Sequence, residues 1–240
     1  MSGTILIVGA GDYIGSAIAK RFAKGGFTVC LGRRNGEKLS TLEAEIKAAG
    51  GTAHGFHLDA RDEDDIAMVF ATIERDIGPL DLVIFNVGGN VKFGIRETSA
   101  RVFRKVWEMA CFGGFLTGQA AAHVMVPRGN GAIFFTGATA SVRGSSGFSA
   151  FSSAKQGLKA VAQSMARELG PQGIHVAHLI IDAGVDTSWV RDLMAKAGKD
   201  IGDGDLMDPA SVAETYWQLY HQPKDAWTFE MDIRPFKESF

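Results

Sequence analysis

Residues 4–15, Thr4-Ile5-Leu6-Ile7-Val8-Gly9-Ala10-Gly11-Asp12-Tyr13-Ile14-Gly15, decide the fold. Thr4 to Val8 is an apolar run of strand length, and it breaks into a glycine cluster. From Gly15 to Lys24 the period changes, and Ile18, Ala19 and Phe22 share one helical face. A glycine cluster between a strand and a helix is a candidate dinucleotide site. Glycine lets backbone N–H groups approach a pyrophosphate with no Cβ in the way, and the helix N-terminus then faces the anion. Gly9, Gly11, Asp12, Tyr13, Ile14 and Gly15 are therefore candidate binding residues. The spacing departs from GxGxxG, so a tight turn between strand and helix remains the alternative.

The βα pattern repeats outward from this unit. Strand Thr28 to Leu31 precedes helix Gly36 to Ala49, strand Thr52 to Leu58 precedes helix Glu63 to Ile77, and a fourth strand runs from Leu82 to Asn86. Longer helices follow: Arg101 to Val126, then strand Ala132 to Thr136, helix Ser152 to Leu169 and strand His175 to Ile181. Ser152 suits an N-cap, and Gly170-Pro171 is a stop signal. Continuous apolar strands alternating with helices predict an α/β fold, a doubly wound parallel sheet covered on both faces by right-handed crossovers. With 240 residues, 46% of them hydrophobic, and no linker, repeat or low-complexity block, one domain spanning 1–240 is expected.

Composition excludes several classes. Twenty-seven acidic against 25 basic residues leave a net charge of -2, so no broad basic face for nucleic acid or anionic lipid is implied. The N-terminal stretch has no charged n-region, and its apolar run is too short for a membrane span, so a soluble cytoplasmic protein is expected. Cys30 and Cys111 lack metal-ligand spacing and read as packing residues. His54, His57, His123, His175 and His221 form no HExxH-like array, so no metal is predicted, and His178 in an apolar strand reads as a hydrogen-bonded core histidine.

The glycine loop, a strand ending Asn86-Val87-Gly88-Gly89, and Phe151-Ser152-Ser153-Ala154-Lys155 opening a helix together resemble the short-chain dehydrogenase/reductase family. The resemblance implies a single-domain Rossmann fold, a nicotinamide cofactor, a small-molecule substrate and a homo-oligomer, dimer or tetramer. Against the family pattern TGxxxGxG, Val8 replaces threonine, Tyr13 replaces the middle glycine and Gly11 is extra. Asp59-Ala60 after the third strand, and Asn86 and Gly88 after the fourth, fall where the family contacts adenosine. At the end of the second strand an Asp or Glu would accept from both ribose hydroxyls of NAD; here Leu31-Gly32-Arg33-Arg34 places two guanidiniums, favouring NADP(H) over NAD(H). A solvated Arg-Arg pair is the bland alternative.

The same resemblance puts Ala110 at the family's asparagine, Ala138 at its serine, Phe151 at its tyrosine and Lys155 at its lysine. A one-residue slip offers Thr139 as the hydroxyl instead. In the family the tyrosine is the general acid, the serine polarises the carbonyl, the asparagine holds a relay water, and the lysine favours the phenolate and bonds the nicotinamide ribose. Only Lys155 remains, as a ribose anchor. Asp182, in Ile181-Asp182-Ala183-Gly184, is a candidate acid or a turn cap. Residues 187–207 mix apolar anchors with glycine and charge and are read as a substrate lid. Two functions follow: an NADP(H)-dependent oxidoreductase with a non-standard proton donor, or a catalytically silent NADP(H)-binding sensor or assembly protein.

Overall fold

The computed structural model describes residues 3–238; Met1, Ser2, Ser239 and Phe240, which end the N-terminal stretch and the C-terminal tail, lie outside the described residues. In chain order the elements are β1 (Thr4–Val8), α1 (Ile14–Lys24), β2 (Thr28–Arg33), α2 (Ser40–Ala48), β3 (Thr52–His57), α3 (Glu63–Asp76), β4 (Leu80–Phe85) and α4 (Ala100–Trp107). They continue with α5 (Gly113–Met125), β5 (Gly131–Ala138), α6 (Ser149–Leu169), β6 (Ile174–Ile181), α7 (Ser188–Lys196), α8 (Pro209–Tyr220) and β7 (Glu230–Ile233). The strands form one seven-stranded sheet in the order β3-β2-β1-β4-β5-β6-β7, parallel at every pairing.

Five of these strands bury nearly every residue, which is why they read as continuous apolar runs rather than alternating ones. On one face α1 and α8 pack Ile18, Phe22, Val212 and Tyr216 against Ile5, Ile7 and Phe134. On the other, α3, α5 and α6 pack Val69, Leu116 and Leu158 against Leu6, Val83 and Phe135. The chain leaves β1 in one direction and returns to its other side as β4. That reversal opens a crevice at the carboxyl ends of the strands, where Gly9, Arg33, Asn86, Thr139 and Asp182 emerge.

Two local expectations need correction. Ser152 is not an N-cap: α6 begins three residues earlier, because Phe148 closes a turn on Ser145 and its carbonyl already accepts from the Ser152 N–H. Ser152 instead sits in the first helical turn, buried, with its Oγ unpartnered among the described residues. The helix expected over 101–126 is continuous in path, but Glu108–Phe112 widens into a π-turn between α4 and α5. Gly113 and Gly114 follow it. A Cβ on Gly113 would lie 2.9 Å from the Ala60 carbonyl oxygen, and one on Gly114 would lie 2.3 Å from a Leu158 methyl. The glycine pair lets the helix approach the loop after β3 and α6 closely there, and such a pair beside a π-turn is a recognised place for a helix to bend. By length and composition the run from Ala100 to Arg128 could cross a membrane, yet half of its apolar window is buried inside this fold, as in a core helix.

Candidate functional site

A cavity of about 350 Å³ lies in the crevice, lined by Gly9, Gly11, Arg33, Arg34, Leu58, Asp59, Ala60, Asn86, Val87 and Gly88. Its volume suits a small-molecule or cofactor site. The glycines divide into two kinds. Gly9, at φ +93°, would set a Cβ 2.7 Å from the Asn86 carbonyl oxygen, and Gly15 would set one 2.6 Å from the Gly9 carbonyl oxygen. Both are glycine because the protein's own backbone leaves no room. Gly11 and Gly88 meet nothing within 4 Å, so they are open to a ligand.

Asn86 knits the crevice together. Its Nδ2 donates to the Gly9 carbonyl at 3.1 Å, and its Oδ1 accepts from Thr136 Oγ1 at 3.1 Å. The buried Tyr216 hydroxyl in turn lies 2.7 Å from Thr136 Oγ1. With both ends of its amide engaged, Asn86 holds the glycine loop against β5.

Charge gathers at one end. Arg33, Arg34, Asn35 and Lys38 line a second concavity of about 350 Å³. Arg33 is held by Asp12 of the glycine loop, at 2.5 and 3.4 Å, and that guanidinium lowers the Asp12 pKa. Arg34 makes no ion pair among the described residues. Asp59 is gripped by Arg61 through two bonds of 2.9 and 2.5 Å, which lowers its pKa. Sequence reading passed over Arg61, Met109 and Lys38, all of which line these concavities. The spacing Asp59-x-Arg61 was the available signal for one of them.

A separate buried cluster is apolar. Phe151, Ala110 and Ala138, from three separate elements, share one cluster with Val91, Val102, Val106, Cys111, Ala140, Ala150 and Ala154. No proton donor of useful acidity belongs to that cluster, and burial raises the pKa of the Cys111 thiol. Lys155 is buried beside it, with Nζ 5.9 Å from the Phe151 ring centroid. Its ammonium donates to the carbonyls of Val87 at 3.0 Å and Thr136 at 2.8 Å, so one of its three N–H groups is left for a ligand. Thr139 donates to Asp182 rather than into the cluster, and Asp182 also faces Arg234 Nη2 at 3.3 Å. The remaining tyrosines are placed elsewhere: burial pushes Tyr216 well above its ordinary pKa and Tyr220 up to about 12, while Tyr13 is engaged with Ser188. His178 is fully buried with Nδ1 3.1 Å from Glu230, and burial pushes it down to about 4. No group of three or more His, Cys, Asp or Glu side chains forms a metal-ligand set among the described residues.

Burial pushes Lys155 down to about 8 from 10.5. Above pH 8 the native amine has shed its proton while the unfolded chain keeps it up to 10.5, so the unfolded state binds more protons and stability rises with pH. Relative to a Lys155→Met variant, the wild type should therefore gain on the order of 3 kcal/mol across that window, read from denaturant unfolding at each pH. The thiols of Cys30 and Cys111, raised by burial, act in the opposite direction, and both proteins contain them. A flat difference between the two proteins would show that no buried ammonium is being relieved.

Residues 3–198 match the family described as short chain dehydrogenase. A solved structure of a short-chain dehydrogenase from Rhodopseudomonas palustris is 56% identical, covers 98% of this chain and 99% of its own, and superposes with a TM-score of 0.85. Gluconate 5-dehydrogenase of Gluconobacter oxydans is 31% identical over 171 residues, 71% of this chain and 67% of that protein. Carbonyl reductase family member 4 of Danio rerio is 27% identical over 225 residues, 93% of each chain.

Proposed function

This chain belongs to the short chain dehydrogenase family, and we propose that it is an NADP(H)-dependent oxidoreductase whose substrate is a small carbonyl, alcohol or related unsaturated compound, protonated by something other than a tyrosine. The carrying observation is a contrast: a glycine-lined cavity with a basic end, and a buried apolar cluster at the positions where the resemblance puts proton transfer.

The residues fit the cofactor. Gly11 and Gly88 leave open space for a backbone approach, and the N-terminus of α1 favours an anion there. Arg33, Arg34 and Lys38 supply charge suited to a 2′-phosphate, and Val8 and Leu58 offer an apolar floor. The spare N–H of Lys155 suits a ribose hydroxyl. When bound, a nicotinamide supplies hydride.

Phe151, Ala110 and Ala138 can neither donate a proton nor stabilise a localised oxyanion. They favour acceptors that spread the developing charge, such as conjugated enones, over plain ketones. Thr139, which follows Ala138 and bonds Asp182, and Asp182 itself are the candidate hydroxyl and carboxylate, and residues 187–207 would cover the site. In this reading the protein works in the cytoplasm as a homo-oligomer.

NADPH consumption should be measured across a panel of ketones, aldehydes and enones. Turnover of enones above plain ketones is expected. NADPH binding with no turnover of any acceptor would instead support the second reading, a silent sensor or assembly protein, which the closed packing of the apolar cluster favours.

A further inference from the structure

The helix that follows β6 has little to hold it. None of the nine residues of α7 is buried, and Trp189 and Leu193 are 62% and 51% exposed. Its own contacts are local: Thr187 Oγ1 caps the Val190 N–H at 3.1 Å, and Arg191 pairs with Asp186 at 2.5 Å. The segment is closed at its neck, where the Asp186 N–H donates to the Met207 carbonyl at 2.8 Å and the Met207 N–H to the Gly184 carbonyl at 2.9 Å. A helix without burial opens at low free energy unless something else fixes it.

Tyr13 provides that fixture. Its hydroxyl lies 2.5 Å from Ser188 Oγ and accepts from the Ser188 backbone N–H at 3.2 Å. That N–H is one of the donors left without an intrahelical partner at a helix start, so the phenol acts as an external cap on α7. Tyr13 is itself the residue preceding α1, and its carbonyl accepts from the Ala17 N–H. One side chain thus joins the glycine loop to the first turn of α7, 175 residues away in sequence.

We propose that Tyr13 is a positioning residue, a latch that fixes α7 onto the glycine loop. The helix that, in the reading proposed above, covers the site is then coupled to the turn that faces the pyrophosphate. Glycine, which the family pattern has at this position, offers no side chain for such a bond.

Amide hydrogen exchange of residues 188–196 in the cofactor-free chain tests the latch, and because no cofactor is needed, failure here leaves the proposed activity standing. Tyr13→Phe should speed exchange across α7 by about three- to tenfold, while α6 stays unchanged. Ser188→Ala removes only the side-chain bond and should give a smaller increase. In the Tyr13→Phe background Ser188→Ala should add nothing. Unchanged exchange in Tyr13→Phe, loosening that extends to α6, or an equal Ser188→Ala effect in both backgrounds would each overturn the latch.

Discussion

Combining Phe151→Tyr, Ala138→Ser and Ala110→Asn should raise NADPH-dependent reduction of plain ketones by at least about a hundredfold over the wild-type chain. A positioned general acid contributes about 10²–10⁴, and an oxyanion donor about 10²–10³. The three positions already share one cluster, which brings the restored groups into one neighbourhood. Lys155 lies 5.9 Å from the Phe151 ring centroid, near enough for its charge to favour a phenolate on that ring. Phe151→Tyr alone should give a smaller gain, since the phenol would have neither serine nor relay water beside it. Ala110 is fully buried, so asparagine there should lower the melting temperature even as activity rises. A folded, NADPH-binding triple variant with no gain on any ketone would mean that the reaction centre is not at Phe151.

The second large effect concerns the basic end. Replacing Arg33 and Arg34 together by alanine should weaken NADPH binding about a hundredfold by calorimetry while changing NADH binding by less than about threefold, since each charge-assisted hydrogen bond contributes about 1.5–3 kcal/mol. The two residues differ in how they act. Arg34 is unencumbered by any ion pair among the described residues, so in the proposed reading its loss would remove a direct contact with the 2′-phosphate. Arg33→Ala also releases Asp12, whose exposed carboxylate would then repel a phosphate. NADPH affinity unchanged in the double variant would remove the case for a phosphate site.

The sheet was legible because the central strands are largely buried on both faces and therefore mostly apolar; Thr4–Val8 and Ile174–Ile181 are buried at every position, with Thr4, His175 and His178 their polar residues. Boundaries were less so. Ser152 has the chemistry of an N-cap, yet the turn at Ser145–Phe148 starts α6 earlier, and that turn depends on tertiary packing of the loop. The π-turn around Ala110 leaves no mark in a helical period. Within the site, the candidate residues at the strand ends were readable because topology alone brings Gly9, Arg33 and Asn86 to one crevice. Pairings were not. Thr139 with Asp182, Asp12 with Arg33 and Tyr13 with Ser188 join segments whose separation in sequence gives no hint of contact. Roles of individual glycines were similarly hidden, since Gly9 and Gly15 answer to the protein's own carbonyls and only Gly11 and Gly88 to open space.

Retention of the cofactor apparatus beside a lost proton donor is the central claim, and the melting temperature of the unmodified chain with NADPH and with NADH, at equal concentrations, tests its first half most directly. Binding to the native state alone raises stability by an amount set by ligand concentration over Kd. NADPH should raise the melting temperature, and by more than NADH does. No shift with either nucleotide would contradict the nicotinamide site itself, and equal shifts would contradict the reading of Arg33 and Arg34.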